Sequence, residues 1–336
     1  MPRLRPSLFW TARRDISPFA ALLLRVCRDV PSAANELRWI REHIALTSSP
    51  APPKFRLWKL CEKRAKGTPL QYVLGTQPFG GLEIKCRPGV LIPRHETEAY
   101  TTELAQILVR HQPSSSTPLS ILDLCTGTGC IALGLLSLLP SPVHIHGIDI
   151  SPTAISLANT NLHHNTRLGL LPPQPSSIHF TPADIFSPFL LPFLTQPTWD
   201  LLISNPPYIS RGAFARETAR AVRNYEPRLA LVPDRDGETA VLGCASEDVF
   251  YARLLQLAGI LAPRRVFFEV AGIEQAARVV DMVRGDARLS GFYPQVEIWR
   301  DSPHEEYEMQ RVRNYEVPFR GSGGARGVYL CRHDQR

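Results

Sequence analysis

The residues with the clearest chemical meaning form the tetrapeptide Asn205-Pro206-Pro207-Tyr208, which follows the apolar run 201–204. Proline fixes φ and lacks an N–H, so carbonyl groups around the two prolines are free to accept hydrogen bonds from a ligand. The Asn205 side chain adds an acceptor oxygen, and Tyr208 adds an aromatic face. These groups suit a planar substrate with an NH2 group, either a carboxamide or the exocyclic amine of a base. An ordinary Asn-Pro turn with a packing tyrosine is the alternative for the tetrapeptide taken alone.

A glycine-containing loop lies upstream, between a predicted buried strand and an apolar helical stretch. The strand is predicted over 119–124, and the loop carries Thr126, Gly127, Thr128 and Gly129. Glycine lets the backbone turn tightly and lets a ligand approach the N-terminus of the following helix. The same spacing also fits the dinucleotide-binding fingerprint, so the loop alone does not choose between cofactors.

Three carboxylates stand at the ends of successive predicted strands. Asp123 would repel a pyrophosphate but could receive the ammonium of a methionine moiety, which favours S-adenosylmethionine over a dinucleotide. Asp149, followed by Ile150, lies about 20 residues past the last glycine, where an acid can accept both ribose hydroxyls. Asp184, followed by Ile185, could accept from the adenine amine, although a solvated loop residue is the alternative. Because carboxyl ends of parallel strands meet at one sheet edge, these residues predict one S-adenosylmethionine site shared with Asn205.

On these residues the chain resembles the HemK-type (PrmC-like) glutamine N5-methyltransferases of peptide-chain release factors, a branch of the class I S-adenosylmethionine-dependent methyltransferases. Further shared motifs are GTPLQY at 67–72, FGGL at 79–82, PGVLIPRHETE at 88–98 and NYEP at 224–227. The 88–98 segment discriminates best, because DNA adenine methyltransferases that share the Asn-Pro-Pro-Tyr motif do not usually carry it. His95 departs from the family pattern, which generally has proline or a small residue there.

The resemblance implies an α/β fold with a Rossmann-like, seven-stranded, doubly wound sheet whose final strand pair is antiparallel. It also implies the acceptor, which is the glutamine of the Gly-Gly-Gln motif in a class I release factor, methylated at N5 in support of translation termination. The cofactor is then S-adenosylmethionine, the partner is a protein, and no sequence-specific nucleic acid or metal is expected. The implied substrate-binding residues, beyond Asn205, Pro206 and Tyr208, are Pro207, Arg94 and Glu96.

A mechanism follows from the electronics of the two reacting groups. An amide nitrogen is a poor nucleophile because its lone pair is delocalised, whereas a sulfonium methyl is already a strong electrophile. Acceptors at Asn205 and the Pro206 carbonyl would hold both amide hydrogens and orient the nitrogen, while Tyr208 would cover the amide plane. No strong general base is required, because the proton can leave after transfer.

Composition restricts the class of protein. With 336 residues and 44% hydrophobic content, the chain can form one large α/β domain and a smaller one. It has no apolar run long enough to span a bilayer. Seven cysteines, an odd number without a C-x-x-C pair, argue against a disulfide framework and a zinc site and favour a reducing compartment.

The positive charge is concentrated in the N-terminal part. Residues 1–66 hold 14 Lys and Arg against 5 Asp and Glu, whereas residues 67–336 hold 24 against 26. Residues 1–14 contain four arginines and no acid, which resembles a mitochondrial targeting segment and predicts a matrix location. The alternative is an ordinary basic first helix in a cytoplasmic protein.

Periodicity and turn residues predict the domain boundaries. A targeting segment is predicted over 1–16, a helical substrate-binding bundle over 17–66, a β-hairpin linker over 67–98 and the methyltransferase domain over 99–336. Within the last domain, two polar insertions at about 166–177 and 301–326 are predicted to be surface loops.

Two rival functions share parts of this pattern. An N6-adenine methyltransferase would present the same acceptors to an exocyclic amine, but the near-neutral charge of residues 67–336 disfavours a duplex-binding face. A non-catalytic, ribosome-associated factor would keep the bundle and lose turnover, but its cofactor loop and acidic residues would not need to be intact. A monomer is expected.

Overall fold

The computed structural model describes residues 4–111, 118–140, 142–171, 177–194 and 198–332. Within these residues the α-helices are α1 (Pro6–Asp15), α2 (Pro18–Cys27), α3 (Val30–Leu46), α4 (Pro53–Ala65), α5 (Leu70–Leu74), α6 (His95–Arg110), α7 (Cys130–Leu138), α8 (Pro152–Arg167), α9 (Arg211–Arg216), α10 (Arg220–Tyr225), α11 (Asp236–Leu242), α12 (Val249–Leu261), α13 (Ile273–Gly285) and α14 (Ala287–Phe292). The strands are β1 (Thr76–Phe79), β2 (Leu82–Lys85), β3 (Leu119–Leu124), β4 (Val143–Asp149), β5 (Ser177–Pro182), β6 (Leu201–Ser204), β7 (Arg265–Glu269), β8 (Gln295–Val312) and β9 (Tyr315–Cys331). None of the helices in these ranges is both long enough and apolar enough to cross a membrane.

Helices α1 to α4 pack into an N-terminal bundle. Ser17 and Asp29 cap α2 and α3 by accepting hydrogen bonds from backbone N–H groups of the first turn, and proline follows within two residues in both helices. The helical structure predicted for residues 17–66 is confirmed by α2, α3 and α4. The bundle core consists of the buried residues Ala12, Ala20, Leu23, Leu24, Ala33, Leu37, Ile40 and Cys61. Ala12 belongs to α1, so the predicted targeting segment also contributes to this core.

The predicted hairpin is present as β1 and β2, which pair antiparallel. It is shorter than the predicted linker over 67–98, because that range also contains α5 and the first turn of α6. Two buried asparagines of α8 hold the hairpin against the sheet domain. Asn161 accepts from the Lys85 N–H at 2.7 Å, and Asn165 accepts from the Glu83 N–H at 2.9 Å.

The central sheet has seven strands in the order β5-β4-β3-β6-β7-β9-β8. Strands β3 to β7 are parallel, and β9 runs antiparallel to β7 and β8. One apolar core lies between the sheet and α6, α7 and α8, and a second lies against α12, α13 and α14. Both faces are therefore covered, as the doubly wound prediction requires. The strand order reverses between β3 and β6, where such sheets form a ligand crevice.

The prediction of a surface loop over 301–326 is wrong. This segment belongs to β8 and β9, whose chain reverses at residues 313–314. Irregular register brings Ile298 opposite both Val328 and Phe319, so the outer part of the long hairpin folds back beside its inner part. Val312, Val317 and Phe319 enter the core on the α13 face. Charged and polar residues predominate over 301–326, so the segment is polar as a whole, yet one of its faces is buried.

The predicted insertion at 166–177 is only partly described. Residues 166 and 167 complete α8, and β5 begins at Ser177. The prolines at 172, 173 and 175 lie outside the described residues, as do the polar residues 112–117 before β3.

Candidate active site

A cleft lies at the carboxyl edge of β3, β4 and β6, beside the point where the strand order reverses. The segment before α6 forms one wall, and the loops after β5 and β6 form the others. The predicted site residues that line the cleft are Arg94, Thr126, Gly127, Thr128, Asp149, Ile150, Asp184, Ile185, Asn205 and Pro207.

The glycine loop adopts a backbone that depends on glycine at two positions. Gly127 has φ of 56°, and a Cβ added there would meet nothing within 4 Å, so its open side is available to a ligand. Gly129 has φ of 78°, and a Cβ added there would lie 3.1 Å from Ala158 Cβ and from Phe180 Cζ. Gly129 does not line the cleft. It allows the start of α7 to pack closely against α8 and β5.

Asp149 joins the end of β4 to the glycine loop. Its Oδ2 accepts from the Gly127 N–H at 2.9 Å, and its Oδ1 accepts from the Ser151 N–H at 2.9 Å. Burial raises the pKa of the Asp149 carboxyl, and the two backbone hydrogen bonds oppose that shift. Each oxygen of a carboxylate can accept more than one hydrogen bond. Asp149 can therefore bind two further hydroxyl groups from the cleft.

Asp123 lies beneath the glycine loop rather than on the cleft wall. It is fully buried, and its Oδ2 accepts from Thr126 Oγ1 at 2.5 Å. Its Oδ1 has no hydrogen-bond partner among the described residues. Burial raises the pKa of the Asp123 carboxyl to about 7. A buried acceptor without a donor is unusual in a folded protein and fits a nearby ligand cation or water.

Asp184 already has a cationic partner in the cleft wall. Its Oδ2 accepts from Arg235 Nη2 at 2.7 Å, and its Oδ1 accepts from the Phe186 N–H at 3.0 Å. The Arg235 guanidinium also lies 4.7 Å from the centre of the Phe186 ring. This arrangement leaves the carboxylate fewer free lone pairs for an adenine amine than the sequence suggests.

The Asn-Pro-Pro-Tyr segment begins where β6 ends, and its members face different sides. Asn205 and Pro207 line the cofactor cleft, whereas Pro206 is buried and does not line it. Tyr208 lines a second, adjacent groove that also contains Gln275 and Arg326. The Tyr208 hydroxyl donates to Glu269 Oε1 at 3.0 Å.

The two substrate-binding residues predicted at the start of α6, Arg94 and Glu96, have partners within the protein. Arg94 Nη2 donates to both carboxylate oxygens of Glu226, at 2.8 and 2.9 Å. Glu96 does not line the cleft, and its carboxylate lies 3.1 Å from His95 Nδ1 and 4.0 Å from Arg326.

Several residues that organise the site escaped the sequence reasoning. Glu226 lies within the NYEP motif, but the motif alone does not predict what this residue contacts. Glu269 is the last residue of β7. It could have been predicted in the same way as Asp123, because both are acidic residues at the end of a parallel strand. Asn161 donates to the Thr128 carbonyl at 2.9 Å, and no local pattern marks that contact.

The parallel sheet with its reversed strand order, the glycine loop and the acidic strand ends define a class I methyltransferase. The sequence model of the family "Methyltransferase small domain" matches residues 100–227. The N-terminal domain of human METTL16 aligns with a TM-score of 0.46 at 17% identity, covering 96% of each chain.

Similar curated proteins narrow the class. The mitochondrial MRF1 N(5)-glutamine methyltransferase MTQ1 of Saccharomyces cerevisiae is 35% identical over 293 residues, which cover 86% of this chain and 82% of the relative. The probable MRF1 mitochondrial N(5)-glutamine methyltransferase of Schizosaccharomyces pombe is 37% identical over 225 residues, 66% of this chain and 71% of the relative. The release factor glutamine methyltransferase of Geobacter sulfurreducens is 39% identical over 179 residues, 53% and 55% of the two chains. The chain belongs to the release factor glutamine methyltransferase family, and its methyl donor is S-adenosylmethionine.

Proposed function

We propose that this chain methylates the side-chain amide nitrogen, N5, of the glutamine in the Gly-Gly-Gln motif of a class I peptide-chain release factor. The observation that carries the proposal is the position of Asn205, which directly follows β6 and lines the cofactor cleft. The family resemblance supplies the glutamine as acceptor, and an amide NH2 group matches the acceptors at this position.

The cleft residues fit S-adenosylmethionine, which supplies an electrophilic methyl group when bound. Gly127 leaves open space for close approach, and Asp149 presents carboxylate oxygens for ribose hydroxyls. Asp123 Oδ1 supplies a buried acceptor for the ammonium, directly or through water. Asp184 and Ile185 form the wall assigned to the adenine ring.

The protein contributes mainly by positioning the acceptor. Asn205 Oδ1 and the Pro206 carbonyl accept the two amide hydrogens, which orients the nitrogen toward the methyl group and increases its electron density. The nitrogen gains the methyl group as the methyl–sulfur bond breaks, and it afterwards loses one proton to water. The Tyr208 ring holds the side of the Asn-Pro-Pro-Tyr segment that lies away from the cofactor cleft. Its hydroxyl is held by a hydrogen bond to Glu269.

Recognition of the whole release factor is assigned to the bundle over 17–66. Arg38, Arg41 and Lys59 are exposed on α3 and α4, where they suit an acidic protein surface. We further assign residues 1–16 to mitochondrial targeting, since two similar proteins are named as mitochondrial enzymes. The enzyme is proposed to act as a monomer on protein rather than nucleic acid.

The test uses the purified protein, labelled S-adenosylmethionine and a purified mitochondrial release factor. We expect one methyl group per release factor, located by peptide mapping on the glutamine of Gly-Gly-Gln. A release factor with glutamine replaced by glutamate is the matched control, because it keeps the shape and removes the amide. Label on the control, or on an adenine-containing nucleic acid instead, would contradict the proposal.

A further inference from the structure

Glu269 is the residue that connects the two halves of the site. It ends β7, beside the strand β6 that leads into the Asn-Pro-Pro-Tyr segment, and it is 1% exposed. Its Oε1 accepts from the Tyr208 hydroxyl at 3.0 Å. Its Oε2 accepts from Thr97 Oγ1 at 2.8 Å and from the Tyr100 hydroxyl at 2.9 Å. One carboxylate thus receives three hydroxyl hydrogen bonds from two distant segments.

These bonds restrict what Tyr208 can do. The Tyr208 hydroxyl donates its proton to Glu269 Oε1, so that proton is not available to a substrate. Loss of this acceptor would leave a partly buried hydroxyl without a partner, which is costly in a folded protein. The ring is therefore held in one orientation between the cofactor cleft and the groove that contains Gln275 and Arg326.

The other two donors give this anchor a rigid support. Thr97 and Tyr100 lie in the first two turns of α6, directly after the Arg94 segment that lines the cleft. Both are almost fully buried. Movement of Tyr208 would have to break its bond to Glu269 or displace that carboxylate from α6.

We propose that Glu269 is a positioning residue for methyl transfer, which acts through the Tyr208 hydroxyl to hold the Asn-Pro-Pro-Tyr segment in its reactive geometry. The proposal rests on the proposed function, because the reaction it assists is glutamine methylation. Glu269 does not line the cofactor cleft, so its effect should appear in turnover rather than in cofactor affinity.

The decisive variant is Glu269→Gln, which keeps the shape and replaces one carboxyl oxygen by an NH2 donor. We expect kcat on the release factor to fall about 10- to 100-fold, because a small displacement of the reacting groups can slow the reaction by this much. The KM for the release factor and the Kd of S-adenosylmethionine should change less than about twofold. Tyr293→Phe is the matched control, because it removes a buried tyrosine hydroxyl that donates to the Ala258 and Pro263 carbonyls and contacts neither Glu269 nor Tyr208. Its kcat should fall less than about threefold.

A double-mutant cycle separates positioning from general stabilisation. If Glu269 acts through the Tyr208 hydroxyl, Glu269→Gln should cost little additional kcat in a Tyr208→Phe background. Fully additive losses in kcat, or equal losses in kcat and cofactor affinity, would overturn the proposal. If Glu269→Gln does not fold, Tyr208→Phe removes the same bond from the other side, and unchanged kcat there would overturn it as well. A wild-type protein that methylates no glutamine would instead refute the proposed function itself.

Discussion

The Arg94 guanidinium donates to both carboxylate oxygens of Glu226, a residue 132 positions away in the chain. Glu226 Oε2 also accepts from the Ile92 N–H at 3.1 Å, and its side chain is 2% exposed. The contact joins the segment before α6 to the NYEP segment at the end of α10. Arg94 and Pro227 both line the cleft. Two motifs that the sequence shows separately are one structural unit.

Breaking this pair should destabilise the protein. Arg94→Ala would leave a buried carboxylate without its cation, which costs about 3–5 kcal/mol for fully buried pairs. Because the Arg94 side chain is 33% exposed, we expect a smaller loss of about 2 kcal/mol in the free energy of unfolding. Urea unfolding measures it. Arg38→Ala breaks an exposed pair with Glu42 and should cost less than about 0.5 kcal/mol; equal losses in both variants would contradict the expectation.

Asp149→Ala should weaken cofactor binding. We expect a loss of about 1.5–3 kcal/mol for each charged hydrogen bond to ribose that is removed. The substitution also frees the Gly127 and Ser151 N–H groups, so Asp149→Asn, which keeps an acceptor oxygen, should lose less. Calorimetric titration with S-adenosylmethionine measures both. Unchanged affinity in the alanine variant would remove Asp149 from the site.

Asn205→Ala should separate catalysis from cofactor binding. Loss of one preorganised polar contact to the reacting amide should lower kcat by about 100-fold. Affinity for S-adenosylmethionine should stay nearly constant, since the proposed partner of Asn205 is the acceptor amide. Single-turnover methylation and calorimetry on the same preparation test this pair of results. Weak cofactor binding with a normal rate at saturation would show that the role is misassigned.

Asp123 should make the stability of the cofactor-free protein depend on pH. Burial raises the pKa of this carboxyl to about 7, so the folded protein holds a proton that the unfolded chain releases near pH 4. Its contribution to stability is thus present below about pH 4 and is lost as the pH rises toward about 7, by at most about 1.4 kcal/mol per pH unit. Asp149 and Glu269, whose pKa values are also raised, act in the same direction.

The variant Asp123→Asn isolates that contribution. It cannot ionise, so its free energy of unfolding should fall less steeply than that of the wild type between about pH 4 and 7. Urea unfolding across this range measures the difference, and the contributions of the other carboxyls cancel between the two proteins. Parallel profiles would show that Asp123 is ionised in the folded protein at lower pH than its burial implies.

Charge reversal on the N-terminal bundle should weaken methylation of the intact release factor but not of a short peptide. Reversing Arg38, Arg41 and Lys59 to glutamate should raise KM for the intact release factor, most strongly at low salt, where screening is weakest. Turnover of a free Gly-Gly-Gln peptide should change little. Reversal of Arg288 and Arg311, exposed on α14 and β8, is the control. Equal losses on protein and peptide would assign the bundle to stability instead of docking.

Local patterns in the sequence predicted much of this site. The strand before the glycine loop, the acid at the end of β4 and the Asn-Pro-Pro-Tyr turn are signalled by periodicity, glycine spacing and proline, all of which act within a few residues. Parallel strands then place their carboxyl ends together, so the position of the cleft followed as well. The long β8–β9 hairpin was missed because the polar content of 301–326 and the run Gly321-Ser-Gly-Gly324 are typical of a loop when the buried face is unknown.

The sequence by itself determined the order of strands and helices, the glycine loop and the family to which the chain belongs, because these depend on short-range sterics and on motifs that can be read locally. Only the tertiary structure decided how the acidic residues are used. Asp184 accepts a hydrogen bond from Arg235, which is 51 positions away in the chain, and Glu269 accepts one from Thr97, which is 172 positions away. Burial and hydrogen-bond partners come from segments that the chain brings together only on folding, and they decide which carboxylate faces the cleft and which one supports its wall.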